Sequence, residues 1–101
     1  MMPNQTPDSV LHLLTARLAA RGLTVSCAES CTGGLLAAEF TRLPGSSAWF
    51  ETGFVTYSNE AKQRLLGVST DSLRQYGAVS EAVVHEMAAG ARQAADADYA
   101  L

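Results

Sequence analysis

Apolar positions along this chain follow two alternating rhythms. Val10, Leu11, Leu14 and Leu18 recur at helical spacing. Pro7-Asp8-Ser9 precedes them as a start signal, a first-turn proline beside a short polar cap, and Arg21-Gly22 closes the run. Leu23-Thr24-Val25-Ser26-Cys27 then alternates apolar and polar with β-branched members, which predicts a strand. A turn over residues 28–34 leads directly into a helical run over 35–40, and Leu43-Pro44-Gly45-Ser46-Ser47 ends it. A second strand is expected over residues 49–57, rich in Phe, Val, Thr and Tyr. Ser58 can cap a helix with Asn59 and Glu60 in its first turn, Leu65 and Leu66 on its buried side and Gly67 as its stop. A short helix is expected from Thr70-Asp71 to Tyr76-Gly77. The longest opens at Ser80-Glu81, with Val83, Val84, Met87, Ala88 and Ala91 as its apolar stripe. Asp96-Ala97-Asp98 reads as a loop and Tyr99-Ala100-Leu101 as the opening of a third strand.

Helices separated by strands imply an α/β fold whose sheet is covered on both faces. Two and a half strands cannot cover the apolar faces of so many helices. The expectation is therefore one domain over residues 1–101, with 1–8 as a flexible lead, forming the front part of a larger domain truncated on its C-terminal side. An open sheet edge and uncovered apolar faces would then drive association, so a homo-oligomer is expected.

Composition narrows the function classes. Apolar residues at 48% and charged residues at 17% exclude a disordered chain. A net charge of −3 offers no broad cationic face, so no nucleic-acid partner is expected. The absence of any run of about 18 apolar residues speaks against a membrane partner. The first residues lack both a basic start and an apolar segment, which leads to a cytoplasmic expectation. Cys27 and Cys31 are the only thiols, and their C-x3-C spacing has no second Cys/His pair to complete a zinc site. His12 and His85 lie far from them in sequence, so neither a metal nor a cofactor is expected.

Candidate chemistry concentrates in two segments. Glu29-Ser30-Cys31-Thr32-Gly33-Gly34 joins a strand to a helix through small hydroxyl, thiol and glycine residues. That position faces the crevice outside a strand's carboxyl end, where ligands bind in α/β sheets. The N–H groups at the following helix start suit a phosphate or an oxyanion, although Ser30 or Thr32 could equally be a simple cap. Tyr57-Ser58-Asn59-Glu60-Ala61-Lys62 also follows a strand and opens a helix, and Lys62 is the only lysine. An amine near a helix N-terminus meets an unfavourable dipole, which suits it to act as a base; alone, it could equally be a solvated surface lysine. Ser30, Tyr57 and Lys62 could thus form a nucleophile with activating partners, and Gly45-Ser46-Ser47 could hold a polar substrate group or only end a helix. Glu29 could bond nearby backbone or orient a catalytic neighbour.

These segments, with Gly45-Ser46-Ser47-Ala48-Trp49-Phe50 and Gly77-Ala78-Val79-Ser80, resemble in order and spacing the CinA C-terminal domain family. Within it the likeness is to the stand-alone members that hydrolyse a nicotinamide nucleotide. The resemblance implies a three-layer α/β/α fold with a mixed sheet. It also implies a small-molecule nucleotide substrate, nicotinamide mononucleotide, cleaved at its carboxamide to nicotinate mononucleotide and ammonia. Carried over by motif, Ser30 would be the nucleophile, Tyr57 and Lys62 its activating partners, and Thr32, Gly33, Gly34, Ser47 and Asn59 substrate contacts. A different class stays open on the residues alone: a non-catalytic domain using the same crevice to bind a nucleotide phosphate or a protein.

Overall fold

The computed structural model describes residues 6–101, so most of the expected flexible lead lies outside the described residues. Pro7 and Asp8, its last two positions, are already helical. In chain order the elements are α1 (Pro7–Arg21), β1 (Val25–Glu29), α2 (Leu35–Thr41), a 3-10 turn (Ser46–Ala48), β2 (Gly53–Val55), α3 (Asn59–Leu66), α4 (Thr70–Tyr76), α5 (Glu81–Ala94) and β3 (Tyr99–Ala100). None of these helices is long and apolar enough to cross a membrane.

Local chemistry sets most of the helix limits. Thr6 caps α1 by accepting from the Ser9 N–H, and Gly22 ends the helix in a left-handed conformation that costs glycine little. Ser58, Ser69 and Ser80 cap α3, α4 and α5 through their hydroxyls. The strands depart further from the expected limits. β1 begins two residues late because the Leu23 N–H returns to the Leu18 carbonyl and completes the helix end. β2 is cut to three residues because Trp49 and Phe50 both turn inward onto Phe40, at ring separations of 5.5 and 5.2 Å. A strand would send one of those two side chains to each face, so the aromatic cluster excludes a regular strand there.

The sheet order is β2-β1-β3. Cys27 aligns with Gly53 and Glu29 with Val55, while Val25 aligns with Tyr99. Both pairings are parallel, so the mixed character expected of the sheet is not expressed in these three strands. The three-layer α/β/α arrangement is present. On one face Val25 and Cys27 join Leu18 of α1 and Phe40 of α2 with Leu43, Trp49 and Phe50. On the other, Leu66, Val68, Val83, Met87 and Ala91 pack with Ala28, Phe54 and Ala100. Central strand β1 is therefore buried on both sides, as a parallel strand between helix layers must be. Gly90 of α5 lies so close to the Leu66 backbone that a Cβ there would strike the Leu66 carbonyl, which seats α3 tightly against α5.

Candidate active site

Parallel strands place all their carboxyl ends on one edge, and both candidate segments leave the sheet there. Alternation along β1 then sorts the side chains. Val25, Cys27 and Glu29 point toward α1 and α2, whereas Ala28 packs on the α3–α5 side. Ser30 continues the second series and so faces α3.

Lys62 comes to meet it. Its position on α3, one turn in from the Ser58 cap, turns its side chain back to the sheet edge, where the residue is 2% exposed. Lys62 Nζ donates to Ser30 Oγ at 3.1 Å and to the Thr56 carbonyl at 2.9 Å. Thr56 is fully buried, and its N–H in turn donates to the Glu29 carbonyl at 2.8 Å. A hydroxyl and an amine that are 32 residues apart in sequence are thereby held in direct contact, with the amine fixed by a second, backbone acceptor.

Glu29 behaves unlike a surface carboxylate. It is 3% exposed and accepts four hydrogen bonds from oxygen and nitrogen donors, Thr32 Oγ1 (2.7 Å) and the N–H groups of Leu36 (2.9 Å), Ala37 (3.1 Å) and Gly34 (3.2 Å), besides a long one from the Cys27 thiol. Burial pushes its carboxyl upward. The bonds from Leu36, Thr32, Ala37 and Gly34 outweigh that and hold it below its ordinary value, so it is ionised. Cys27 beside it, Sγ to Oε2 at 3.9 Å, is driven the other way: burial first, then the Glu29 charge, raise its thiol to about 11. Cys31 is exposed.

The remaining candidates fall outside the Ser30–Lys62 contact. Tyr57 is 75% exposed and bonds to neither group, because strand alternation turns Thr56 inward and sends its neighbour out to solvent. The turn's amides are also not the open anion site that the spacing suggests. The Gly34 N–H is taken by Glu29, the Gly33 N–H by the Ser30 carbonyl at 3.0 Å and the Leu35 N–H by the Thr32 carbonyl at 3.1 Å. Among the described residues, the N–H groups of Ser30, Cys31 and Thr32 are the turn's amides without an internal partner. The Thr32 hydroxyl is spent on Glu29. Ser47, in the 3-10 turn, and Asn59, at the start of α3, are exposed and touch neither Ser30 nor Lys62 by hydrogen bond. Sequence reasoning missed Thr56, whose contribution is a main-chain carbonyl and leaves no side-chain signature. It also left the role of Glu29 undecided, although an acidic residue just before a helix start is the available signal.

A half-buried serine in contact with a buried lysine, at the carboxyl edge of a parallel sheet in an α/β/α sandwich, defines the class of molecule. The CinA C-terminal domain pattern matches residues 8–101, and the chain belongs to that family. It is 65% identical over 86 residues to the nicotinamide-nucleotide amidohydrolase PncC of Enterobacter agglomerans, covering 85% of this chain and 52% of that protein. Against PncC of Escherichia coli K12 it is 64% identical over 84 residues, covering 83% of this chain and 51% of the relative. The chain thus spans about half the length of these curated relatives. A CinA superfamily crystal structure from Escherichia coli superposes with a TM-score of 0.91 at 41% identity, over 99% of this chain and 58% of the other. The crystal structure of the competence/damage inducible protein CihA from Agrobacterium tumefaciens gives 0.85 at 41% identity, over 98% and 61%.

Proposed function

We propose that the chain carries the nucleophile and the base of an amidohydrolase acting on a nicotinamide nucleotide, nicotinamide mononucleotide in particular. The observation that carries this reading is the 3.1 Å separation of Lys62 Nζ and Ser30 Oγ. Family membership and the activity named for the PncC relatives support the substrate class.

In this reading the Lys62 amine takes the Ser30 proton while Oγ attacks the carboxamide carbon. Lys62 works directly, without a relay through Tyr57, since the tyrosine ring lies in solvent. The Thr56 carbonyl keeps the amine from swinging away. The N–H groups of Cys31 and Thr32, next in the chain after the nucleophile, donate to the oxyanion, and each such donor is worth about 2.7–4 kcal/mol of barrier. As the C–N bond breaks, the Lys62 ammonium returns its proton to the leaving nitrogen, which departs as ammonia. Water then attacks the Ser30 ester, Lys62 takes its proton, and Ser30 leaves protonated as the carboxylic acid is released.

The direct test is ammonia release from nicotinamide mononucleotide by the purified chain and by Ser30→Ala. Turnover by the parent and its loss in the variant are expected. Full turnover by Ser30→Ala removes Ser30 from the scheme. Nucleotide binding by the folded parent without ammonia favours a non-catalytic binding domain.

A further inference from the structure

The turn that presents Ser30 is held by a charge the protein supplies itself. We propose that Glu29 is a positioning residue: its carboxylate occupies the N-terminus of α2 as a built-in anion and thereby sets the backbone on which Ser30 is presented. The inference rests on reading Ser30 as a nucleophile.

Three observations carry it. The four oxygen and nitrogen donors to Glu29 come from residues 32, 34, 36 and 37, so the bonds reach across the whole turn and into the helix rather than to one neighbour. Ser30 is bracketed, with anchored Glu29 on one side and anchored Thr32 two residues along on the other. Glu29 is also tied through its main chain, its carbonyl accepting from Thr56, whose own carbonyl holds Lys62. The residue before the nucleophile is thus bonded at its side chain to the helix that follows Ser30 and at its backbone to the residue that fixes the amine.

Charge is needed for this arrangement. Oε1 accepts from Thr32, Gly34 and Leu36 while Oε2 accepts from Ala37, so every donor faces an oxygen. An amide in place of the carboxylate would set an NH2 group against one of these N–H donors. An anionic substrate group is kept off this helix end as well, because it would meet donors already taken and a charge of its own sign.

The experiment reads Ser30 reactivity without the amide substrate. A serine-directed alkyl fluorophosphonate is reacted with the full chain, and the second-order rate of Ser30 modification is followed by peptide mass spectrometry. Parallel thermal melts select conditions where each variant is folded. Glu29→Gln is expected to lower the rate roughly 10- to 100-fold, the scale of a small misplacement of a reacting group. Should Glu29→Gln not fold, Thr32→Val, which removes one of the four bonds, is expected to slow labelling several-fold. Thr32→Ser, which restores the hydroxyl, should recover most of that loss. A purely stabilising Glu29 would lower the melting temperature and leave the folded protein's labelling rate unchanged, which overturns the proposal, as does an unlabelled Ser30 in the parent. Labelled Ser30 with the expected ordering of variants, but no ammonia from nicotinamide mononucleotide, would sink the substrate reading and leave the role of Glu29 standing.

Discussion

Two strand-to-helix crossings leave the same edge of the sheet, and they solve the same problem differently. After β1 the helix start is satisfied by Glu29, a buried carboxylate reaching forward from the strand. After β2 it is satisfied by Ser58, an exposed hydroxyl at the cap position, 3.0 Å from the Ala61 N–H. The first crossing is charged and heavily hydrogen-bonded, and it presents Ser30 in the turn itself. The second is capped by a neutral, local group, and its Lys62 sits a turn into the helix and points back to Ser30. The contrast shows that the Ser30–Lys62 contact does not come from two equivalent loops. One crossing builds a fixed platform and the other delivers a side chain to it.

The sharpest way to break this division is at Lys62. Lys62→Met keeps the length and the burial of the side chain but removes the amine. Ammonia release is expected to fall roughly 10²–10⁴-fold, with the circular dichroism spectrum unchanged. Retained turnover would show that the second crossing delivers no base.

The delivery also depends on how α3 is seated. Gly90→Ala forces a methyl into the Leu66 carbonyl at the end of that helix. A loss of about 3 kcal/mol in urea unfolding is expected, since backbone cannot yield as a side-chain tip does. A cost near zero would mean that α3 is loosely held.

The charged character of the first crossing is checked by acid. The Glu29 carboxyl is held below its ordinary value of 4.5 in the folded protein. A depressed carboxylate contributes stability that is fully present above that ordinary value and is lost as pH falls through the folded one. Between about pH 6 and pH 3 the parent should therefore lose more stability than Glu29→Gln, compared by urea midpoints. Parallel slopes would remove the carboxylate from the account. The neutral crossing should show no such dependence on its cap: Ser58→Ala is expected to cost about 1 kcal/mol, the same at both ends of that range.

Much of the scaffold was legible in the residues before any coordinates. The serine caps at 58 and 80 and the glycine stops at 22 and 67 stand where the spacing places them, because capping is decided within three or four residues. The strand limits were less legible. Residues 49–57 have the composition of a strand throughout, yet burying Trp49 and Phe50 together against Phe40 overrides that preference. At the site, Ser30 and Lys62 could be nominated by motif, but nothing local distinguishes Tyr57 from them. Only the inward turn of Thr56 sends that ring to solvent.

By itself the sequence determined the helices, the α/β class, the family and the two segments from which chemistry is drawn. The tertiary structure decided which atoms meet. Parallel pairing of β1 with β2 brings residues 30 and 62 to one edge, and alternation along the strands turns Ser30 toward α3 and Glu29 toward α2. The reason is one of range: a cap or a stop is settled by neighbours in the chain, whereas a contact across 32 residues exists only once sheet register and helix packing have set its direction.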